Sequence, residues 1–160
     1  VYSRRGTMAE KILVVDDERD VRGLLSDFLT EEGYEVILAR NGAEAIGMAE
    51  LENPEVILLD INMPGIDGIE VCKKLKAQEK TQFIPIIIIT ALEDSGFIAY
   101  LEGADDFVGK PFNLVELTFR VRSMLRIRRL NTELLLAKGY IRQLEKELFK
   151  LQRPDLYMER

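Results

Sequence analysis

Five residues in this chain of 160 are of types and at places that could do chemistry together: Asp16, Asp17, Asp60, Thr90 and Lys110. Asp16 and Asp17 follow the apolar run Lys11–Val15 (KILVV), Asp60 closes VILLD, Thr90 closes PIIIIT and Lys110 follows DFVG. A short aliphatic run that stops at a polar residue reads as a buried strand opening into a loop. Pro64, Gly65 and Gly68 forbid the strand from continuing past Asp60. Taken singly, each residue has an ordinary reading: a strand-end Asp as a turn former, Asp-Asp-Glu as the start of a helix, Thr90 as a cap, Lys110 as a surface charge. Brought to one edge, three carboxylates would repel one another unless a cation neutralised them, and all-oxygen ligation selects a hard ion such as Mg²⁺. The set then suits phosphoryl transfer to a carboxylate. Asp60 attacks in line, the ion neutralises the phosphoryl oxygens, and Lys110 and Thr90 hold what remains.

The elements between these residues must deliver them to one edge. Residues 19–32 place Val21, Leu24, Leu25, Phe28 and Leu29 on one helical stripe, stopped by Gly33. A second strand at 35–39 is followed by a helix at 41–50 with Asn41 as its cap. After the Asp60 strand, residues 66–79 predict a helix with Ile69, Val71, Cys72 and Leu75 inward. The run 85–89 (PIIII) is apolar without alternation, which means burial on both faces and hence a parallel sheet between helical layers. A weak helix at 95–101 and a last strand at 106–108 complete five alternations. The fold class is therefore α/β, a doubly wound five-stranded parallel sheet of flavodoxin-like order 2-1-3-4-5, with a long C-terminal helix. Its switch point lies between the first and third strands, where Asp16 and Asp17 face Asp60.

Composition removes several alternatives. There is no histidine and one cysteine, Cys72, which excludes an intramolecular disulfide, a Cys/His zinc site and a catalytic histidine. Cys72 sits among aliphatic residues and reads as core. A reducing, cytoplasmic setting fits this usage, and no run approaches a membrane span or a signal peptide. Residues 1–7 (VYSRRGT) precede Met8 and read as a remnant ahead of the natural start. Charge divides the chain: residues 1–112 hold 11 Lys/Arg against 22 Asp/Glu, a balance of −11, whereas residues 113–160 hold 11 against 6, a balance of +5.

The motifs VVDDE, LLDINMPGIDG, Thr90-Ala91 and GADDFVGKPF, in this order, resemble the receiver domain of two-component response regulators over about residues 9–128. That resemblance implies a phosphorylation-controlled receiver whose phosphoacceptor is Asp60 and whose donor is a sensor histidine kinase or a small phosphodonor. Asp17 would ligate Mg²⁺ directly, Asp16 largely through water, and Asn62 through its backbone carbonyl. Lys110 would pair with the phosphoryl group, and its bond to Pro111 would be cis. Thr90 and Phe107 match the family's switch pair, which would alter the face made by the fourth helix, fifth strand and fifth helix. Phe107 stands where Tyr is frequent, so the inward state has no hydroxyl to hold it. The interval from Thr90 to Lys110 is somewhat shorter than is usual in the family, which shortens the expected fourth helix and puts the usual pairing geometry in question.

Beyond the receiver, expected at 8–128, residues 113–153 contain no proline and Asn113 can cap a helix about 60 Å long. Leu130, Leu134, Ala137, Ile141, Leu144, Leu148 and Leu151 recur at alternating steps of four and three, a coiled-coil stalk over 129–153 followed by a tail at 154–160. This predicts a homodimer through the C-terminal helix. The earlier stripe of Leu117, Val121 and Met124 is out of phase with it, which places a discontinuity near Arg126. Gly139 costs about 1 kcal/mol of helix stability and favours the alternative of a helix folded back on its own domain. Arg120, Arg122, Arg126, Arg128 and Arg129 form a basic cluster, expected to meet acidic groups of a neighbouring receiver rather than nucleic acid, since no DNA-binding module is evident. No output domain is encoded, so the chain is either cut short of one or uses the stalk as its output. Three other functions remain in view. A haloacid-dehalogenase-type phosphatase needs a second Asp where Asn62 stands, a flavodoxin would find Asp16, Asp17 and Glu18 repelling its phosphate, and a constitutive scaffold would keep the fold without the switch.

Overall fold

The computed structural model describes residues 8–91 and 102–153. Its strands are β1 Lys11–Val15, β2 Glu35–Ala39, β3 Val56–Asp60, β4 Ile86–Thr90 and β5 Asp106–Gly109. All neighbouring strands are parallel, in the order β2-β1-β3-β4-β5. The helices are α1 Arg19–Glu31, α2 Gly42–Glu52, α3 Gly68–Ala77 and the C-terminal helix α4, Leu114–Gln152. The expected helix at 95–101 lies outside the described residues.

The unbroken apolar strands resolve into two faces. Leu13, Val15, Ile57, Leu59, Ile86 and Ile88 join Ala45 and Ala49 of α2 and Val71, Cys72 and Leu75 of α3 in one buried cluster. Ile12, Val14, Val56, Leu58, Ile87 and Ile89 join Leu25 and Leu29 of α1 and Leu117, Val121, Met124 and Leu125 of α4 in the other. Successive strand side chains point to opposite faces, so a run with no polar alternation is what a sheet covered on both sides requires.

Local chemistry sets the helix ends. Asn41 accepts from the Glu44 amide at 2.9 Å, as expected of a cap. Asn113 does the same for α4, accepting from Val115 and Glu116 at 2.8 and 3.4 Å. The third helix begins at Gly68 rather than at 66, because the Asp67 side chain caps it by accepting from the Glu70 amide at 2.9 Å. It ends at Ala77, since Gln78 is already extended. Leu24, read as inward, is about half exposed, while its neighbour Leu25 takes the core position.

At the sheet edge away from Asp60, Lys76 of α3 donates to the carbonyls of Ile84 (2.8 Å) and Gln82 (3.3 Å) and to Asp105 (2.9 Å). Asp105 in turn accepts from the Ile86 amide at 2.8 Å, so one ammonium and one carboxylate join the starts of β4 and β5.

The chain divides into two compact units after Arg128. The helix α4 is unbroken through Arg126, so the discontinuity expected there is a change of stripe and not of backbone. Three of the five arginines of the basic cluster have partners within the first unit. Arg120 pairs with Asp106 (2.7 Å) and Glu116 (2.9 Å), Arg122 with Glu32 (3.5 Å), and Arg128 donates to Asn53 (3.3 Å). Three of the five thus have partners in their own chain, beside whatever a neighbouring receiver would offer.

Candidate functional site

Strand register assembles the site. Val15 pairs with Leu59, so Asp16 and Asp60 emerge side by side at the carboxyl edge. Thr90 pairs with Gly109 on the next strands, and the Lys110 amide donates to the Thr90 carbonyl at 2.8 Å. Asp16, Asp60 and Thr90 are 2%, 4% and 0% exposed, so their polar groups sit in the floor of the edge and not on a solvated rim. Asp17 is exposed.

The approach of α3 is what gives Asp60 its place. A Cβ on Gly68 would run into the Asp60 carbonyl oxygen, and no other residue allows the helix to start so close to the strand end. Gly65, with φ of +81°, turns the intervening loop.

One oxygen from each of Asp16, Asp17 and Asp60 lies within 4.8 Å of the others. Lys110 reaches over them, 2.9 Å from Asp16, 3.7 Å from Asp60 and 4.0 Å from Glu18. Its peptide bond to Pro111 is cis. Asp16 also accepts from the Glu18 amide at 2.9 Å, and the Asn62 amide approaches Asp60 at 3.4 Å. Burial, then the charge of Asp16, pushes the Asp60 carboxyl up to about 6 against the pull of Lys110. Burial works against the Lys110 ammonium, but its hydrogen bond to Asp16 and the charges of Asp16, Asp60 and Glu18 outweigh that and hold its pKa above the ordinary lysine value. Hard oxygen donors with an excess of negative charge fit a hard divalent cation.

Of the residues singled out in the sequence, Asp16, Asp17, Asp60 and Lys110 meet at short distances, and Thr90 lies one strand away. Phe107 is half-buried and packs against the core beneath α2 and α3. Asn62 is exposed, with its amide turned to Asp60. Arg22 was not anticipated. It donates from α1 to the Asp16 carbonyl at 2.7 Å and so ties down the acidic loop. Its only sequence signal is a place one helical turn after Glu18.

The family model of the response regulator receiver domain matches residues 12–122. The chain belongs to the response regulator receiver family. Among its relatives, the response regulator PleD of Caulobacter vibrioides is 49% identical over 130 residues, which is 79% of this chain and 28% of PleD. The alkaline phosphatase synthesis transcriptional regulatory protein PhoP of Bacillus subtilis is 48% identical over 121 residues, 74% of this chain and 50% of PhoP. The receiver thus spans about half or less of the length of these relatives. Among solved structures, chemotaxis protein CheY4 of Vibrio cholerae aligns with a TM-score of 0.69 at 32% identity, covering 73% of this chain and 99% of that one. NtrX from Brucella abortus aligns with a TM-score of 0.72 at 31% identity, covering 79% of this chain and 29% of that one. Receivers are signalling domains of two-component systems, phosphorylated by sensor histidine kinases, and bind Mg²⁺ at an acidic pocket of the kind formed here by Asp16, Asp17 and Asp60. No helix among the described residues is long and apolar enough to cross a membrane.

Proposed function

We propose that this receiver accepts a phosphoryl group on Asp60 from a sensor histidine kinase, and passes the resulting change to a dimerising C-terminal helix. The observation that carries the reading is the convergence of Asp16, Asp17 and Asp60 with Lys110 at the carboxyl edge of the sheet. In the transfer, an Asp60 carboxylate oxygen bonds to phosphorus as the bond from phosphorus to the donor's imidazole nitrogen breaks, and that nitrogen keeps the electron pair. Lys110 exchanges part of its pairing with Asp16 for a phosphoryl oxygen, and the Thr90 hydroxyl supplies a further donor. Mg²⁺, held by Asp16, Asp17, Asp60 and the Asn62 carbonyl, would neutralise charge on the phosphoryl oxygens. Burial holds the metal-free Asp60 carboxyl at about 6, and a cation bound beside Lys110 would favour the nucleophilic anion.

The switch acts through Thr90 and Phe107. Their strands are neighbours, so a shift of Thr90 toward a phosphoryl group vacates space beside the β5 strand that Phe107 occupies by turning further inward. Such a change is a bias between two populations, made by contacts that only the phosphorylated form offers.

Intact-mass measurement after incubation with a small acyl phosphate tests this reading. The wild-type chain gains one phosphoryl group with Mg²⁺ and none with chelator, and Asp60→Asn gains none in either condition. An unchanged adduct in Asp60→Asn refutes the assignment.

A further inference from the structure

Six of the seven seam residues of the second unit, Leu130, Leu134, Ile141, Leu144, Leu148 and Leu151, are between 44% and 79% exposed. Lettered as a heptad, Leu134, Ile141 and Leu148 fall at a and Leu130, Ala137, Leu144 and Leu151 at d. Gly139 then falls at f, on the side away from the seam, where a Cβ would meet nothing within 4 Å. Its cost is a local loss of helix propensity and does not interrupt the apolar line.

Flanking charges and seam coverage together bear on orientation. Glu133 and Glu147 occupy g, while Lys138 and Glu145 occupy e. Two parallel, aligned helices set each g against the e position five residues on in the other copy, which brings Glu133 to Lys138 twice by symmetry and makes no like-charge pair. An antiparallel pair matches a to d, so at most six of the seven seam residues find partners. The antiparallel register that keeps Leu130 sets Glu133 against Glu147 and Lys138 against its own copy. The one that avoids both conflicts pairs Lys138 with Glu145 but leaves Leu130 with no partner, so the parallel register alone joins opposite charges and covers the whole seam.

Resting on the reading of α4 as a dimerising helix, we propose that a second copy of this chain covers the seam in parallel and in register, with Glu133 and Lys138 as the residues that select this register. Identical residues face one another at a and d only in that arrangement, which gives a direct test. Cys72, the chain's one cysteine, is buried and does not compete.

Light scattering on the full chain first establishes whether it is a dimer; a monomer at all accessible concentrations overturns the dimer reading itself. Given a dimer, mild oxidation of Leu144→Cys yields a disulfide-linked pair on a non-reducing gel, while Gly139→Cys stays unlinked. A dimer in which Leu144→Cys remains unlinked, or links no better than Gly139→Cys, overturns the parallel register and leaves dimerisation standing. Charge reversal gives an independent arm that leaves the seam intact. Glu133→Lys and Lys138→Glu each weaken the dimer about three- to tenfold, and the two together restore it. Dimerisation strengthened by Glu133→Lys marks the antiparallel register with Glu133 against Glu147.

Discussion

Asp60 lies in a setting that resists its own charge. Burial and Asp16 lift its carboxyl to about 6, above the value it has in an unfolded chain, so ionising it works against the metal-free fold. The cost is absent below about pH 4, grows as the pH rises to the folded value, and stands in full above it. Asp60→Asn removes the charge and keeps the shape. In chelator at about pH 7.5, urea unfolding should find the variant more stable by about 1 to 2 kcal/mol, allowing for solvent screening, with the gap closing near pH 4. Equal stability at the higher pH would mean that Lys110 compensates the site fully. Cys72 is a second residue whose surroundings fix its behaviour: burial pushes its thiol up to about 11. Labelling by a thiol reagent at neutral pH should be slow in the native protein and fast in urea. At this scale the sequence was informative where a residue type is confined to a strand end, as for Asp16, Asp60, Thr90 and Lys110. It was silent on Arg22, whose bond to the Asp16 carbonyl depends on how α1 leaves the loop.

The elements follow from runs and punctuation. The aliphatic runs marked the strands because burial on both faces leaves no polar position to confuse the pattern. Helix ends were less legible. Asp67 captures the Glu70 amide and delays the start of α3, and the passage of Gly68 against the Asp60 carbonyl is a matter of tertiary packing that no local pattern carries. Gly68→Ala should therefore destabilise the receiver by about 1 to 3 kcal/mol in chemical unfolding, more than a surface helix substitution, because the obstructing atom is backbone and cannot rotate aside. It should also reduce acyl phosphate formation, since relief of the clash moves Asp60. A variant with wild-type stability would mean that the α3 start has room to shift. The arginines of α4 illustrate the opposite limit: their clustering is visible in sequence, but their acidic and amide partners lie as far away as Glu32 and Asn53.

On the scale of the whole molecule, phosphorylation and assembly become one question. The receiver reading joined to the helix reading predicts that Mg²⁺ with beryllofluoride, which mimics the phosphoryl group on an aspartate, alters the dimer equilibrium measured by light scattering. No change in either oligomeric state or the Phe107 environment would favour a constitutive scaffold. The family and the sheet order were legible because chemistry-bearing motifs and strand runs recur together in order; for α4 the apolar seam was legible, and its proposed pairing rests on that seam and the charges beside it. The bonds that Lys76 and Asp105 make at the opposite edge bear on how any such signal moves. They fasten the roots of the two strands that carry Thr90 and Phe107 and so oppose any lengthwise slip of one past the other. On the proposed switch, a rearrangement on that side would be a swing of the upper rim about a pinned base, directed sideways rather than along the strands.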